Sequence, residues 1–170
     1  AQKDRDEWRD PAETLNFFEV KPSDTVVEMY PGDGWYTEIL GPFLKRGGGR
    51  LIAVTADPDE SDYNRNMIDA YRAAYVTKPQ TYGDIDVVTT TPSSELAIKP
   101  GSADVVLTFR NVHNWIAGRN VDKIFAEAFA ALKPGGLMGV VDHRLPSAWD
   151  QDPTVQSGYV HESFLIQLAE

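Results

Sequence analysis

The alternation of short apolar runs with helical stripes constrains this chain more than any single motif does. "TVVEMY" (25–30), "RLIAVT" (50–55), "DIDVVTT" (84–90), "ADVVLTF" (103–109) and "LMGVVD" (137–142) are rich in apolar and β-branched residues and too short for helices. Strands apolar on both faces must be covered on both sides, which implies parallel pairing and crossover connections. The intervals between them supply the crossovers. Tyr36, Ile39, Leu40, Phe43 and Leu44 fall at helical spacing, as do Tyr63, Met67, Ala70, Tyr71, Ala74 and Tyr75. Val121, Ile124, Phe125, Ala128, Phe129 and Leu132 form the cleanest stripe. Turn chemistry marks the ends: Gly41-Pro42 predicts a kink, "GGG" (47–49) a C-terminus, Pro79 a stop, and "KPGG" (133–136) a break before the fifth strand. Upstream, "DPAE" reads as an N-cap at Asp10, Pro11 in the first helical position and Glu13 three residues after the cap. That helix runs to about Phe18, and Val160, Phe164 and Leu168 share one face of a last helix.

The pattern predicts an α/β fold: a Rossmann-like, doubly wound, mostly parallel sheet with helices on both faces. One domain covers residues 1–170, with a lead-in at 1–24, a cofactor-binding core at 25–145 and a C-terminal segment at 146–170. The net charge of −10, with Lys45-Arg46 the nearest approach to a basic cluster, argues against a nucleic-acid partner. No run approaches the roughly 18 apolar residues of a membrane span. The absence of cysteine excludes disulfides, thiolate nucleophiles and cysteine metal sites together.

In sheets of this class ligands bind beyond the carboxyl ends of the strands, where strand order reverses. Those ends collect chemistry here. The first delivers Glu28 and "YPGDGW" (30–35), the second Thr55 and Asp57, the fourth "RNVHNW" (110–115) and the fifth "DHR" (142–144). Gly32 and Gly34 can take positive φ and admit a ligand close to the backbone, ahead of a helix N-terminus. Trp35, Tyr36 and Thr37 are bulky where a diphosphate would sit, and Glu28 would repel it, so a cofactor with a neutral or cationic body suits the turn better. His113 is the candidate base, with Asp142 and His143 as candidate catalytic partners, while Asn111 and Asn114 could orient a ligand. His113, Asp142, His143, His161 and Glu162 could in principle ligate a metal, but no pair has diagnostic spacing and none is assigned. A nicotinamide dehydrogenase is disfavoured, because Tyr75 and Lys78 are too close for the Tyr-x-x-x-Lys pair of short-chain reductases.

Four segments in order resemble the class I S-adenosylmethionine (SAM)-dependent methyltransferases, over about residues 25–145. "VVEMYPGDGWYTEIL" is similar to their first motif, "LIAVTADPD" to the second strand, "GSADVVLTFRNVHNW" to the fourth strand and its loop, and "FAALKPGGLMGVVDHR" to the turn into the fifth. "PGDGWYTEIL" and "FRNVHNW" also resemble a bacterial group of predicted methyltransferases often made with a signal peptide. The resemblance implies SAM as cofactor, a small-molecule acceptor, and a cofactor site drawn from Glu28, Tyr30, Gly32, Gly34, Trp35, Thr55, Asp57 and Asn111. Tyr30 stands where the first motif glycine is usual, and Thr55 where an acid usually takes the ribose hydroxyls, with Asp57 its candidate substitute. An antiparallel hairpin that normally completes the family sheet has no counterpart in the sequence, so the edge at the fifth strand would be open to a second copy. The start "AQKDRDEW" fits a mature end left by a signal peptidase, hence the periplasm, or a trimmed cytoplasmic chain. The expectation is therefore a SAM-dependent methyltransferase. The alternative is a methyltransferase-fold binding protein without catalysis.

Overall fold

A computed structural model describes residues 3–91 and 93–170. After one 3-10 turn come helices α1 (Asp6–Arg9) and α2 (Pro11–Phe17), then β1 (Thr25–Met29), α3 (Thr37–Gly47) and β2 (Arg50–Ala56). The chain continues through α4 (Asp62–Tyr71), a π turn (Arg72–Val76), α5 (Pro79–Tyr82), β3 (Ile85–Thr90) and β4 (Ala103–Phe109). It ends with α6 (Val112–Ala117), α7 (Val121–Ala131), β5 (Leu132–Val141) and α8 (Glu162–Ala169). The strands form one sheet in the order β3-β2-β1-β4-β5, with every pair parallel. Strand order reverses between β1 and β4, which places the ligand crevice at their carboxyl ends.

Two cores flank the sheet, as the two-sided apolar strands require. Val27, Met29, Ile52, Val54 and Val106 face α6 and α7 on one side, where Trp115, Ile124, Phe125 and Ala128 close over them. Val26, Leu51, Ala53, Val105 and Leu107 face α2, α3 and the π turn on the other, against Leu15, Leu40, Leu44 and Tyr75. Each fully buried Val or Leu contributes about 1.5–3 kcal/mol relative to exposure, so the alternation of faces fixes the register.

Four local expectations change. Asp10 does stand ahead of α2, but at φ 36° and with no side-chain cap. It closes α1 as a left-handed C-cap, its N–H donating to the Asp6 carbonyl, and that geometry excludes the extended N-cap conformation. β1 stops at Met29, because Tyr30 turns to φ 52° instead of extending the strand. The stripe expected as one helix from Tyr63 to Tyr75 passes into a π turn at Arg72. "KPGG" lies inside β5 rather than before it. Leu132 pairs with Ala103, the next four residues bulge, and pairing resumes at Val105 with Leu137. α3 runs through Pro42 to a left-handed cap at Gly48, φ 76°. Beyond β5 the described residues add α8 and, as strand pairing, only an isolated parallel bridge between Arg144 and Val160.

Candidate active site

Two clefts open at the carboxyl ends of β1 and β4, and the segment Tyr30-Pro31-Gly32 forms a wall of both. The larger, about 580 Å³, is bounded by the glycine turn, the ends of β4 and β5, and Trp8 and Arg9 from the N-terminal lead-in. The smaller, about 330 Å³, lies between that wall, Thr55 and Ala56 at the end of β2, one face of α4, and Trp115.

The wall is set by backbone geometry. Tyr30 adopts φ 52°, a left-handed conformation that side chains with a Cβ rarely take, and its N–H donates to the Val54 carbonyl at 2.7 Å. Its ring packs 5.6 Å from that of Trp115. Asn111 holds the turn from the opposite strand. Its Nδ2 lies 3.1 Å from the Met29 carbonyl, 3.2 Å from the Tyr30 carbonyl and 3.1 Å from Thr108 Oγ1. Asn111 therefore spends its donors on β1, the turn and Thr108, and fixes Tyr30.

The two motif glycines have separate duties. Gly32 sits at φ 60° with nothing within 4 Å of where a Cβ would project, and it borders both clefts. Gly34, at φ 79°, borders neither. A Cβ there would lie 2.2 Å from Tyr75 Cε2, and the Tyr75 hydroxyl donates to the Asp33 carbonyl at 2.9 Å. Gly34 is a glycine so that Tyr75 can brace the turn from below. Trp35 borders the large cleft yet is only 4% exposed, with the Arg9 guanidinium 4.4 Å above its ring centroid.

Beneath the turn lies a buried polar chain. Glu28 is 2% exposed and accepts from the Thr37 hydroxyl at 2.6 Å, and Thr37 Oγ1 lies 3.1 Å from the Tyr71 hydroxyl. An ionised Glu28 takes the single proton of Thr37, so Tyr71 donates to Thr37 in turn. Burial pushes the Glu28 carboxyl from 4.5 up to about 7, against the lowering effect of the Thr37 hydroxyl and N–H. Burial likewise raises Tyr71 well above the ordinary range, with the nearby Glu28 adding to the effect. A carboxyl this far inside ties β1 to the first turn of α3 and holds the glycine turn between them.

Across the large cleft stands a histidine–aspartate pair. His113 Nδ1 is 2.7 Å from Asp142 Oδ1, and the other carboxylate oxygen accepts the His113 backbone N–H at 3.0 Å. The His143 N–H donates to Oδ1 at 2.7 Å, so Asp142, its side chain 2% exposed, is held by three donors. An ionised carboxylate only accepts, so Nδ1 carries the proton and, in the neutral ring, Nε2 keeps a lone pair. The His113 ring, its side chain 18% exposed, borders the cleft. His143 also lines it, its ring 5.9 Å from that of His113 and 5.4 Å from that of Tyr159.

On the β2 side, Thr55 borders the small cleft, and its buried Oγ1 has no hydrogen-bond partner. Asp57 borders neither cleft. Its carboxylate accepts the Asp59 N–H at 2.8 Å in a local turn, and its carbonyl accepts from the Asn64 side chain. The expected metal candidates diverge, with His161 against the Trp149 carbonyl at 2.7 Å and Glu162 paired with Arg144 at 2.6 Å. Among the described residues no group of three or more His, Asp or Glu side chains could hold a metal ion. Nor, among them, is any helix long and apolar enough to cross a membrane.

Several site residues were not singled out from the sequence. Trp8 and Arg9 come from the lead-in, where no spacing announced them. Asn64, Met67, Ile68 and Tyr71 follow a helical i, i+3, i+4, i+7 pattern, which reads as a core stripe unless the end of β2 is known to lie beside it.

The chain matches the family model described as a methyltransferase domain over residues 31–140. It belongs to that family, and the all-parallel sheet with its crevice at β1 and β4 is the class I SAM-dependent methyltransferase architecture. Among curated proteins no sequence matches it. Solved structures do. A SAM-dependent methyltransferase from Aquifex aeolicus superposes with TM-score 0.71 at 16% identity, covering 94% of this chain and 76% of the other. An arsenic(III) SAM methyltransferase from Chlamydomonas reinhardtii gives 0.63 at 16%, covering 88% and 51%. The [4+2]-cyclase SpnF gives 0.66 at 13%, covering 95% and 54%. A cyclase among these neighbours shows why likeness at such identity establishes the fold and leaves the reaction to the site.

Proposed function

We propose that this protein transfers a methyl group from SAM to a hydroxyl on a small acceptor, with His113 as the general base oriented by Asp142. The observation that carries the reading is the buried Asp142 carboxylate on His113 Nδ1, in a ring that borders the large cleft. The residues present fit the cofactor. Gly32 leaves its Cβ direction open between the two clefts, the small cleft has flat walls at Tyr30 and Trp115, and the orphaned Thr55 hydroxyl stands at its edge. Those residues would hold the nucleoside part, and the turn bordering the large cleft would hold the amino-acid part. When bound, SAM supplies a methyl group activated by a sulfonium. The protein's tasks are to hold the acceptor in line, exclude water and remove its proton at His113 Nε2. Asp142 stabilises the imidazolium that results.

Asp57, turned into its own loop, favours one alternative, in which the fold binds ligands without transferring a methyl group. Incubation with methyl-labelled SAM and a panel of phenolic acceptors separates the two. Label transfer is expected for the wild type and loss by about 100-fold or more for His113→Ala, with S-adenosylhomocysteine (SAH) binding retained. Transfer undiminished in the variant would refute the assignment of the base.

A further inference from the structure

The charges in the large cleft run against those of the chain. The protein carries −10 overall, yet each carboxylate bordering this cleft is engaged within the protein. Glu28 is sealed under Thr37, Asp142 is held by His113 and two backbone N–H groups, and Asp33 lies 3.7 Å from the Arg5 guanidinium. Two arginines border the same space. Arg110, exposed, forms no ion pair with any described residue, and neither does Arg9, which rests on the Trp35 ring. Arg110 is also held in an unusual backbone state. Its φ is 60°, and its N–H donates to the Val141 carbonyl at 2.6 Å, so the end of β4 turns left-handed one residue before Asn111. Strain of this kind persists where the surroundings demand a particular aim of the chain. Aromatic side chains make up much of the rest of the wall, with Trp8, Tyr30, Trp35, Tyr36 and Phe109 beside Met29, Pro31 and Val141.

Resting on the methyltransferase reading, we propose that the acceptor is an aromatic hydroxyl compound bearing a carboxylate, and that Arg110, supported by Arg9, receives the carboxylate. A planar ring suits the aromatic lining, and the guanidinium forks match a carboxylate in geometry as well as charge. The hydroxyl on the same ring then has His113 Nε2 as its base, while the anionic end is held by Arg110. A neutral phenol would leave both arginines unpaired, so the cleft selects by charge before it selects by shape.

The test uses the full chain saturated with SAH and follows tryptophan fluorescence, since Trp8 and Trp35 both border the cleft. The probes are 2-, 3- and 4-hydroxybenzoate, each beside its neutral amide. At least one hydroxybenzoate should quench saturably, its amide should bind about tenfold or more weaker, and Arg110→Gln should remove that preference. An amide that binds as well as its acid, an Arg110→Gln preference equal to wild type, or no binding by any isomer would overturn the proposal. SAH affinity, measured by calorimetry on the same proteins, separates the two sources of a carboxylate. If Arg110→Gln weakens SAH itself by the same factor, Arg110 reads the cofactor's amino-acid end and the acceptor assignment falls. If the wild type binds hydroxybenzoate but not SAH, the charge-selective cleft stands and the methyltransferase reading fails instead.

Discussion

Glu28→Gln should change how stability depends on pH. The carboxyl titrates near 7 in the folded protein against 4.5 in an unperturbed chain, because burial disfavours its charge more than Thr37 stabilises it. At about 1.4 kcal/mol per pKa unit, that gap amounts to about 3–4 kcal/mol at most. The sign follows from the direction. A raised carboxyl pKa means that the fold prefers the protonated form, so no penalty exists below pH 4.5. The penalty grows as pH rises between 4.5 and about 7, and is complete above that. Glutamine carries no titration, so the stability of the variant relative to wild type should climb through this window and level off near pH 8. An amide also loses one acceptor for Thr37, which adds a constant offset of about 1 kcal/mol against the variant. The slope is therefore the informative quantity. Urea unfolding of both proteins at half-unit steps from pH 5.5 to 8.5 measures it. A difference flat across that range would refute the picture of a desolvated Glu28.

Gly34→Ala should destabilise by about 2–4 kcal/mol, combining left-handed strain with the overlap on Tyr75, and Tyr75→Ala should recover part of that loss in the double variant. Gly32→Ala, in open space, should cost only about 1 kcal/mol from its positive φ, and thermal unfolding ranks the two. Asp142→Asn replaces one acceptor oxygen with a donor among three N–H groups, so it should lose about 1–3 kcal/mol, and nitrogen NMR of the imidazole should show His113 no longer confined to the Nδ1–H tautomer. Asn111→Ala should weaken SAH binding about tenfold by releasing the Met29 and Tyr30 carbonyls, with a calorimetric titration as the check.

The layers of the fold were legible because they rest on local signals. Strands at 50–55 and 103–109 are apolar on both faces, and Val121, Ile124, Phe125 and Ala128 of the expected stripe are buried on one face of α7, while Phe129 is exposed and Leu132 begins β5. The carboxyl-end edge was legible too, since His113 and Asp142, far apart in sequence, become neighbours once both lie at ends of adjacent parallel strands. Long-range packing was not legible. Nothing near Gly34 announces that Tyr75 will press on it, and the same spacing rule that places glycines in a motif assigned it to the ligand. Asp57 borders neither cleft for a local reason, because a carboxylate two residues from the Asp59 N–H closes a turn on itself. Trp8 and Arg9 entered the site only through the third dimension, carried there by the left-handed turn at Asp10.

The central claim is that the paired clefts form a working SAM site. Calorimetric titration of SAH into the full chain tests it most directly, beside Ala56→Phe, which fills the small cleft from the end of β2. Saturable binding at micromolar SAH, weakened tenfold or more by Ala56→Phe in a protein that remains folded, is the result predicted. No binding to the folded wild type at millimolar SAH, or binding indifferent to the substitution, would contradict it.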